Sequence, residues 1–200
     1  MHQYHLTLLS ICEVRWNSFG KVKLVTGEIL LYSGKDNEED HHEAGVALLL
    51  PKEAARSLME WEPVSDRIIM ARFKSRFQQV SIIMCYAPTN NAEEDTKDVF
   101  YSQLQTVVDR IPRRDMLILM GDMNAKVGSD NSGRERVMGR NGLGVMNENG
   151  ELLDDFCAVN ELAIGGTLFP HRRCHKATWV SPDLQCLFQS LDCGHAGAQL

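Results

Sequence analysis

No stretch of this chain reaches the roughly 18 consecutive apolar residues that a membrane-crossing helix needs, so a membrane partner is not expected. Its six cysteines (Cys12, Cys85, Cys157, Cys174, Cys186 and Cys193) form no Cys-x-x-Cys and no paired spacing. That argues against a zinc centre or a disulfide framework, and it reads as reduced, mostly buried thiols of an intracellular protein. Excess positive charge is also lacking. The net charge of −6 argues against general binding of polyanions, because nucleic-acid binders usually carry a basic footprint. The opening MHQYHLTLLSIC has neither a basic n-region nor a small-residue cleavage site, so no secretory signal is expected. Internal repeats, low-complexity tracts and Pro/Gly linkers are absent too. What remains is 200 residues at 44% hydrophobic, enough for one globular domain with a sizeable core, expected to be a monomer.

The charge is unevenly spread. DNEEDHHE at 36–43 is acidic and reads as a solvated loop, whereas Arg110 to Arg140 holds seven basic against four acidic residues. HRRCHK at 171–176 contains no acid. A locally basic face on an acidic protein is therefore compatible with the composition.

Most of the chain reads as strands. HLTLLSIC (5–12) is a short apolar run ending at Glu13. KVKLV and EILLY flank Thr26-Gly27, a hairpin signature with Val22, Leu24, Ile29 and Leu31 available for a core face. GVALLL (45–50), RIIMARF (67–73), QVSIIMCY (79–86) and DMLILM (115–120) complete the set, with a second hairpin at Lys74-Ser75-Arg76. One helix is predicted from a capping arrangement of Asn91 and Glu94 to Pro112, with Phe100, Leu104, Val107, Val108 and Ile111 at helical spacing. A second starts near Asn149, with Leu152, Phe156 and Val159 on one face. Dense strands with few helices predict two packed, mostly antiparallel sheets with outer helices, an α/β sandwich.

Three strands end in residues able to do chemistry: Glu13-Val14-Arg15-Trp16, Tyr86-Ala87-Pro88-Thr89-Asn90 and Gly121-Asp122-Met123-Asn124. Asp122 and Asn124, two apart, share one side of an extended backbone. Gly121 permits close approach of a ligand or a neighbouring backbone. By themselves these residues also fit blander roles: a surface acid for Glu13, a rim aromatic for Tyr86, a turn pair for Asp122 and Asn124.

The ordered set E-V-R-W, Y-A-P-T-N, G-D-M-N-A-K-V-G and K-A-T-W-V-S-P-D resembles the endonuclease/exonuclease/phosphatase superfamily, the DNase I and exonuclease III group. SGRERVMGRNGLGVMNENGELLDDFC and GTLFPHRRCHKATWVSPD narrow the resemblance to apurinic-type endonuclease domains of non-LTR retrotransposons and craniofacial development protein 2-like proteins. It runs from about residue 8 to residue 183. The resemblance implies a four-layer, DNase I-like α/β sandwich, with a partial domain over 1–183 and a divergent tail over 184–200. It implies hydrolysis of DNA phosphodiesters with Mg²⁺ (Mn²⁺ as a substitute), which neutralises charge on the phosphate, and a nuclear location. Glu13 matches the metal-binding glutamate and Tyr86 the phosphate-contacting tyrosine. Asp122 matches the acid that orients or deprotonates the attacking water, and Asn124 the amide that holds the phosphate. Arg134, Arg136, Arg140 and Thr178 would lie near the DNA backbone, although the arginines also read as a solvated loop and Thr178 as part of a strand.

Two family features find no match. No asparagine of the usual first-strand motif precedes Glu13, and after Asp183 the sequence LQCLFQSLDCGHAGAQL contains no Ser-Asp-His. Asp192 and His195 are weak stand-ins. The fold is therefore expected to be incomplete at both ends and turnover to be weak or absent, since a positioned general base contributes ~10²–10⁴-fold. A non-enzymatic interaction protein on the same scaffold is the alternative reading, and a phosphatase of the same superfamily a third.

Overall fold

The computed structural model describes residues 6–35, 44–170, 172, 177–180, 187–189 and 193–195; the side chains of 177–180, 187–189 and 195 lie outside the description. Backbone contacts divide the chain into two compact units, Met1–Tyr86 with Ser102–Gly121, and Ala87–Tyr101 with Asp122–Leu200.

The first unit contains two sheets. One has the order β1-β4-β3-β2, from β1 (Leu9–Cys12), β2 (Phe19–Lys23), β3 (Ile29–Ser33) and β4 (Val46–Leu50), all antiparallel. The other sets β5 (Leu58–Ser65), β6 (Ile68–Phe73), β7 (Val80–Tyr86) and β8 (Met116–Asp122) side by side. Period-two alternation places Leu31, Val46, Leu48 and Leu50 of the first sheet against Ile69, Ala71, Phe73 and Met84 of the second, and this is the core. Each fully buried leucine there contributes roughly 2 kcal/mol. The helix α1 (Lys52–Ser57) joins β4 to β5 and packs Ala54 and Ala55 on that core. On the outer face of the second sheet, Glu60, Met70, Arg72 and Ser81 share a cleft of about 190 Å³ with Val107, Arg110 and Ile111 of the long helix segment.

That helix, α2 (Glu94–Arg110), connects β7 to β8. Met116 N donates to Gln79 O (2.8 Å) where both strands start, and Ala87 N to Asp122 O (2.9 Å) where both end. The two strands are therefore parallel, the expected geometry for a crossover through a helix. In the second unit, α3 (Glu148–Val159) leads into β9 (Leu162–Ile164), which pairs antiparallel with β12 (Cys193–His195). β10 (Ala177–Val180) pairs antiparallel with β11 (Leu187–Gln189). Among the described residues no helix is long and apolar enough to cross a membrane.

The two packed, mostly antiparallel sheets with helices are as expected, and the differences lie in detail. The α2 entry uses Glu93, whose carbonyl accepts from Lys97 N (3.3 Å), two residues beyond Asn91. On α3 the buried face is Leu153, Phe156 and Cys157, while Val159 is 76% exposed. In the β2–β3 hairpin, Lys21 lies opposite Leu31 and Val22 opposite Leu30. Leu31 faces the core, so Val22 points to the other side of the sheet, because a strand's faces are set by its register. Neither α1 nor β5 is apparent from apolar runs. β5 alternates Glu60 and Glu62 with Met59, Trp61 and Pro63, a proline tolerated because β5 is a sheet edge.

Candidate active site

In the first unit, β1 ends at Cys12 and the backbone turns sharply. Glu13 and Arg15 both have left-handed φ, 55° and 56°. Each non-glycine residue there costs ~1–2 kcal/mol. The turn is held by Val14 N and Arg15 N, which donate to Gly45 O and Ala44 O, both at 3.1 Å. Its result is to aim the Glu13 carboxylate at the end of β7, where the Tyr86 hydroxyl donates to Oε1 at 3.1 Å. Arg67 steadies Tyr86 from behind: its guanidinium donates to Tyr86 O (3.2 Å) and lies 5.3 Å from the ring centroid. Oε2 of Glu13 accepts from Arg15 at 3.3 Å, an ion pair whose side chains are 63% and 50% exposed. Such a pair is worth at most ~1 kcal/mol, so Arg15 can give way to a more strongly held cation. Directly behind, the Cys12 thiol contacts Cys85 O at 3.9 Å, and burial pushes the Cys85 thiol well above its ordinary value. Cys85 is an inert core residue.

In the second unit, Asp122 begins a stretch in which Met123, Ala125 and Val127 are buried and the residues between them are not. Asp122 and Asn124 thus do share the outward side. They are also a turn pair, since Asn124 N donates to Asp122 Oδ1 at 2.9 Å and Asn124 has φ 49°. Asparagine tolerates that conformation better than most residues. The Asn124 amide nitrogen donates to Ala87 O (2.8 Å), which uses one of its two hydrogens and leaves the second for another acceptor.

Three further asparagines set the geometry around Asn124. Asn149, 2% exposed, donates its amide to Pro88 O (2.9 Å) and Asn124 O (3.1 Å), and its backbone N–H reaches Asn90 Oδ1 (3.2 Å). Asn147 caps α3 by accepting from Gly150 N (2.8 Å) and also accepts from Lys126 N (2.9 Å). Buried Lys97 pairs with Glu148 at 2.9 Å. Helix entry, the role the NENG stretch suggests for Asn149, falls to Asn147, while the Asn149 side chain ties the YAPTN segment to Asn124. The roles of Asn90 and Asn147 have no signature beyond the capping preference of asparagine. Asn147→Ala removes one acceptor that takes two hydrogen bonds, and an N-cap loss costs ~1–2 kcal/mol. Chemical denaturation should show that drop, whereas Asn147→Asp should retain most of the stability.

Of the three arginines, Arg134 already has a structural partner: its Nε lies 3.1 Å from Oδ2 of Asp154, whose side chain is 3% exposed. Burial raises the Asp154 carboxyl above its usual value, against the lowering effect of Arg134. Arg136 and Arg140 are exposed, and Arg140 donates to Asn131 Oδ1 at 3.3 Å. Thr178 lies in β10 with its side chain outside the described residues, as are His171, Arg173, His175, Lys176 and Asp192.

No cage of three or more His, Cys, Asp or Glu side chains occurs among the described residues. That donor chemistry still suits Mg²⁺, which takes oxygen ligands and needs one or two carboxylates besides water and substrate oxygens. Glu13, half exposed and held in a defined orientation, can supply one.

No family model matches the chain. Over 185 residues, 92% of its length, it is 36% identical to craniofacial development protein 2 of Tragulus javanicus and of Bos taurus. It spans about a third of the length of these curated relatives, 31% and 30%. Among solved structures it is similar to the AP endonuclease LMAP from Leishmania major, with TM-score 0.62 and 8% identity over 98% of this chain and 72% of that one. It is also similar to the endonuclease domain of TRAS1, a telomere-specific non-LTR retrotransposon, with TM-score 0.54 and 15% identity over 83% of this chain and 67% of that one. At these identities the structural likeness establishes the fold, the DNase I-like α/β sandwich.

Proposed function

We propose that this chain, a homologue of craniofacial development protein 2 with the fold of the endonuclease/exonuclease/phosphatase superfamily, is a retroelement-derived, Mg²⁺-dependent endonuclease domain acting on DNA phosphodiesters. The observation that carries this reading is the Tyr86–Glu13 hydrogen bond across 73 residues of sequence, made by a glutamate kept in left-handed backbone. Strain of this kind is retained where a side chain has work to do.

Glu13 is the residue that would hold Mg²⁺; Mn²⁺ suits the same oxygen donor. When bound, the ion supplies positive charge to a phosphate oxygen. Tyr86 orients the Glu13 carboxylate with its single hydroxyl hydrogen, which would turn to a phosphate oxygen once substrate is in place. Asp122, exposed and acceptor-only when ionised, takes the proton of the attacking water, and Asn124 donates its remaining amide hydrogen to a phosphate oxygen. Arg136 and Arg140 offer charge to the DNA backbone, and Thr178 a hydroxyl. We propose a monomeric, intracellular, nuclear protein.

The 200 residues contain no Ser-Asp-His, so nicking by this chain alone is proposed to be slow. The same observation favours a second reading, in which the scaffold is kept for non-enzymatic interactions. A plasmid-nicking assay separates the two. Slow, EDTA-sensitive nicking with Mg²⁺ is expected, reduced at least ~10²-fold in both Asp122→Ala and Glu13→Gln. Equal background from all three proteins would overturn the nuclease reading and leave the scaffold.

A further inference from the structure

Beside Glu13 the sequence reads Arg15-Trp16-Asn17-Ser18-Phe19-Gly20-Lys21-Val22-Lys23: three basic residues, no acid and two aromatics in a chain of net charge −6. Its apolar members are not core. Trp16 is 48% exposed, Phe19 56% and Val22 43%. β2 is the edge of its sheet, and lysines on an edge strand are commonly explained as guards against pairing with another chain. That account covers Lys21 and Lys23 but not the open aromatics beside them.

The outward turn of Val22 creates a groove of about 370 Å³ lined by Arg15, Trp16, Asn17, Val22 and Tyr32. Gly20 lies opposite Tyr32, and any side chain at position 20 would collide with the Tyr32 ring, its Cβ falling 2.7 Å from the hydroxyl. Trp16 and Tyr32 pack at right angles with ring centroids 5.1 Å apart, and Trp16 keeps 48% of its surface exposed. The Asn17 side-chain oxygen is buried with no hydrogen-bond partner. A flat apolar wall, an unused acceptor and adjacent positive charge together match one class of ligand: a planar, N–H-bearing ring on an anionic backbone.

We propose that this groove is a base-stacking subsite, in which an unpaired nucleobase of single-stranded DNA lies on Trp16 and a flanking phosphate meets Arg15. The inference rests on the nucleic-acid reading above and adds to it the substrate form, a strand with at least one base out of the helix. Stacking on an aromatic is tolerant of base identity, so affinity depends on the presence of a base more than on its kind. Trp16 is three residues from Glu13, so a stacked base would fix the register of the strand at that carboxylate.

The test uses the whole chain and two labelled 15-mers of equal charge, oligo(dT) and a base-free oligomer of abasic sugar-phosphate, with binding read by fluorescence anisotropy in EDTA. Wild type is expected to bind oligo(dT) about tenfold more tightly than the base-free strand. Trp16→Ala should abolish that preference and Trp16→Phe should keep most of it. Arg15→Ala should weaken both oligomers alike and lower the slope of log affinity against log salt by about 1. Equal binding of the two oligomers by wild type, or an unchanged preference in Trp16→Ala, overturns the subsite, as does capture of neither strand. Nicking by the wild-type chain is scored separately on plasmid DNA with Mg²⁺. Base-dependent binding without nicking would refute the nuclease and leave the subsite standing.

Discussion

Gly121→Ala is expected to remove about 4 kcal/mol of stability, a large share of the ~5–15 kcal/mol typical of a folded domain. Gly121 has φ +128°, a conformation that side chains rarely adopt, and a Cβ there would stand 2.0 Å from Cys85 O. The obstacle is backbone of the adjoining strand and cannot rotate away. Parallel strands β7 and β8 meet at this point, immediately before Tyr86 and Asp122. Gly133 is the control: it too has positive φ (+75°), but nothing lies within 4 Å of its added Cβ. Gly133→Ala should therefore cost only about 1 kcal/mol, the conformational part alone. Urea midpoints of the two variants, compared with wild type, separate collision from strain. Similar midpoints would show that β7 and β8 can part at no cost.

A second large loss is expected for Asp115→Ala. Asp115 is buried at the start of β8 and receives Arg72 in two-pronged fashion, Nε to Oδ2 at 2.6 Å and a terminal nitrogen to Oδ1 at 3.0 Å, with Ser81 Oγ donating to Oδ2 at 2.7 Å. Removing the carboxylate leaves Arg72 with only the more exposed Glu60 at 3.3 Å. Breaking a buried pair from one side costs ~3–5 kcal/mol. Arg72 retains 22% exposure, which points to the lower end. The pair also sets an acid limit. The Arg72 guanidinium, helped by Ser81 and opposed by burial, holds the Asp115 carboxyl below the usual carboxylate range. Its stabilisation is thus full above the unfolded value of about 4 and is lost as pH falls through the lowered folded value. Asp154 acts in the opposite sense: burial raises its carboxyl, so its contribution is full below about 4 and is lost as pH rises through the raised value. Asp115→Asn should therefore be less stable than wild type at neutral pH and converge with it below pH 4. Parallel stability curves would disprove the assignment.

How much of this is legible in the sequence differs by kind of feature. The strands β3, β4, β6, β7 and β8 are apparent because continuous burial requires continuous apolar residues. Glu13, Tyr86, Asp122 and Asn124 stand out because strand ends are where a sheet presents polar groups. Pairings across long sequence separations leave no periodic trace, and so the Tyr86–Glu13 bond, the Arg134–Asp154 pair and the Asn149 bridge emerge only from coordinates. Register is equally silent. A hairpin with apolar residues in both arms is readable, but which of them face inward depends on a single-residue offset, and Val22 turned outward.

The left-handed backbone at Glu13 carries an evolutionary consequence. Glycine at that position would relieve the turn, so heat resistance and the carboxylate pull residue 13 in opposite directions. A lineage released from the need for that carboxylate has an easy downhill step available, and a glutamate still standing there marks a backbone that has not taken it.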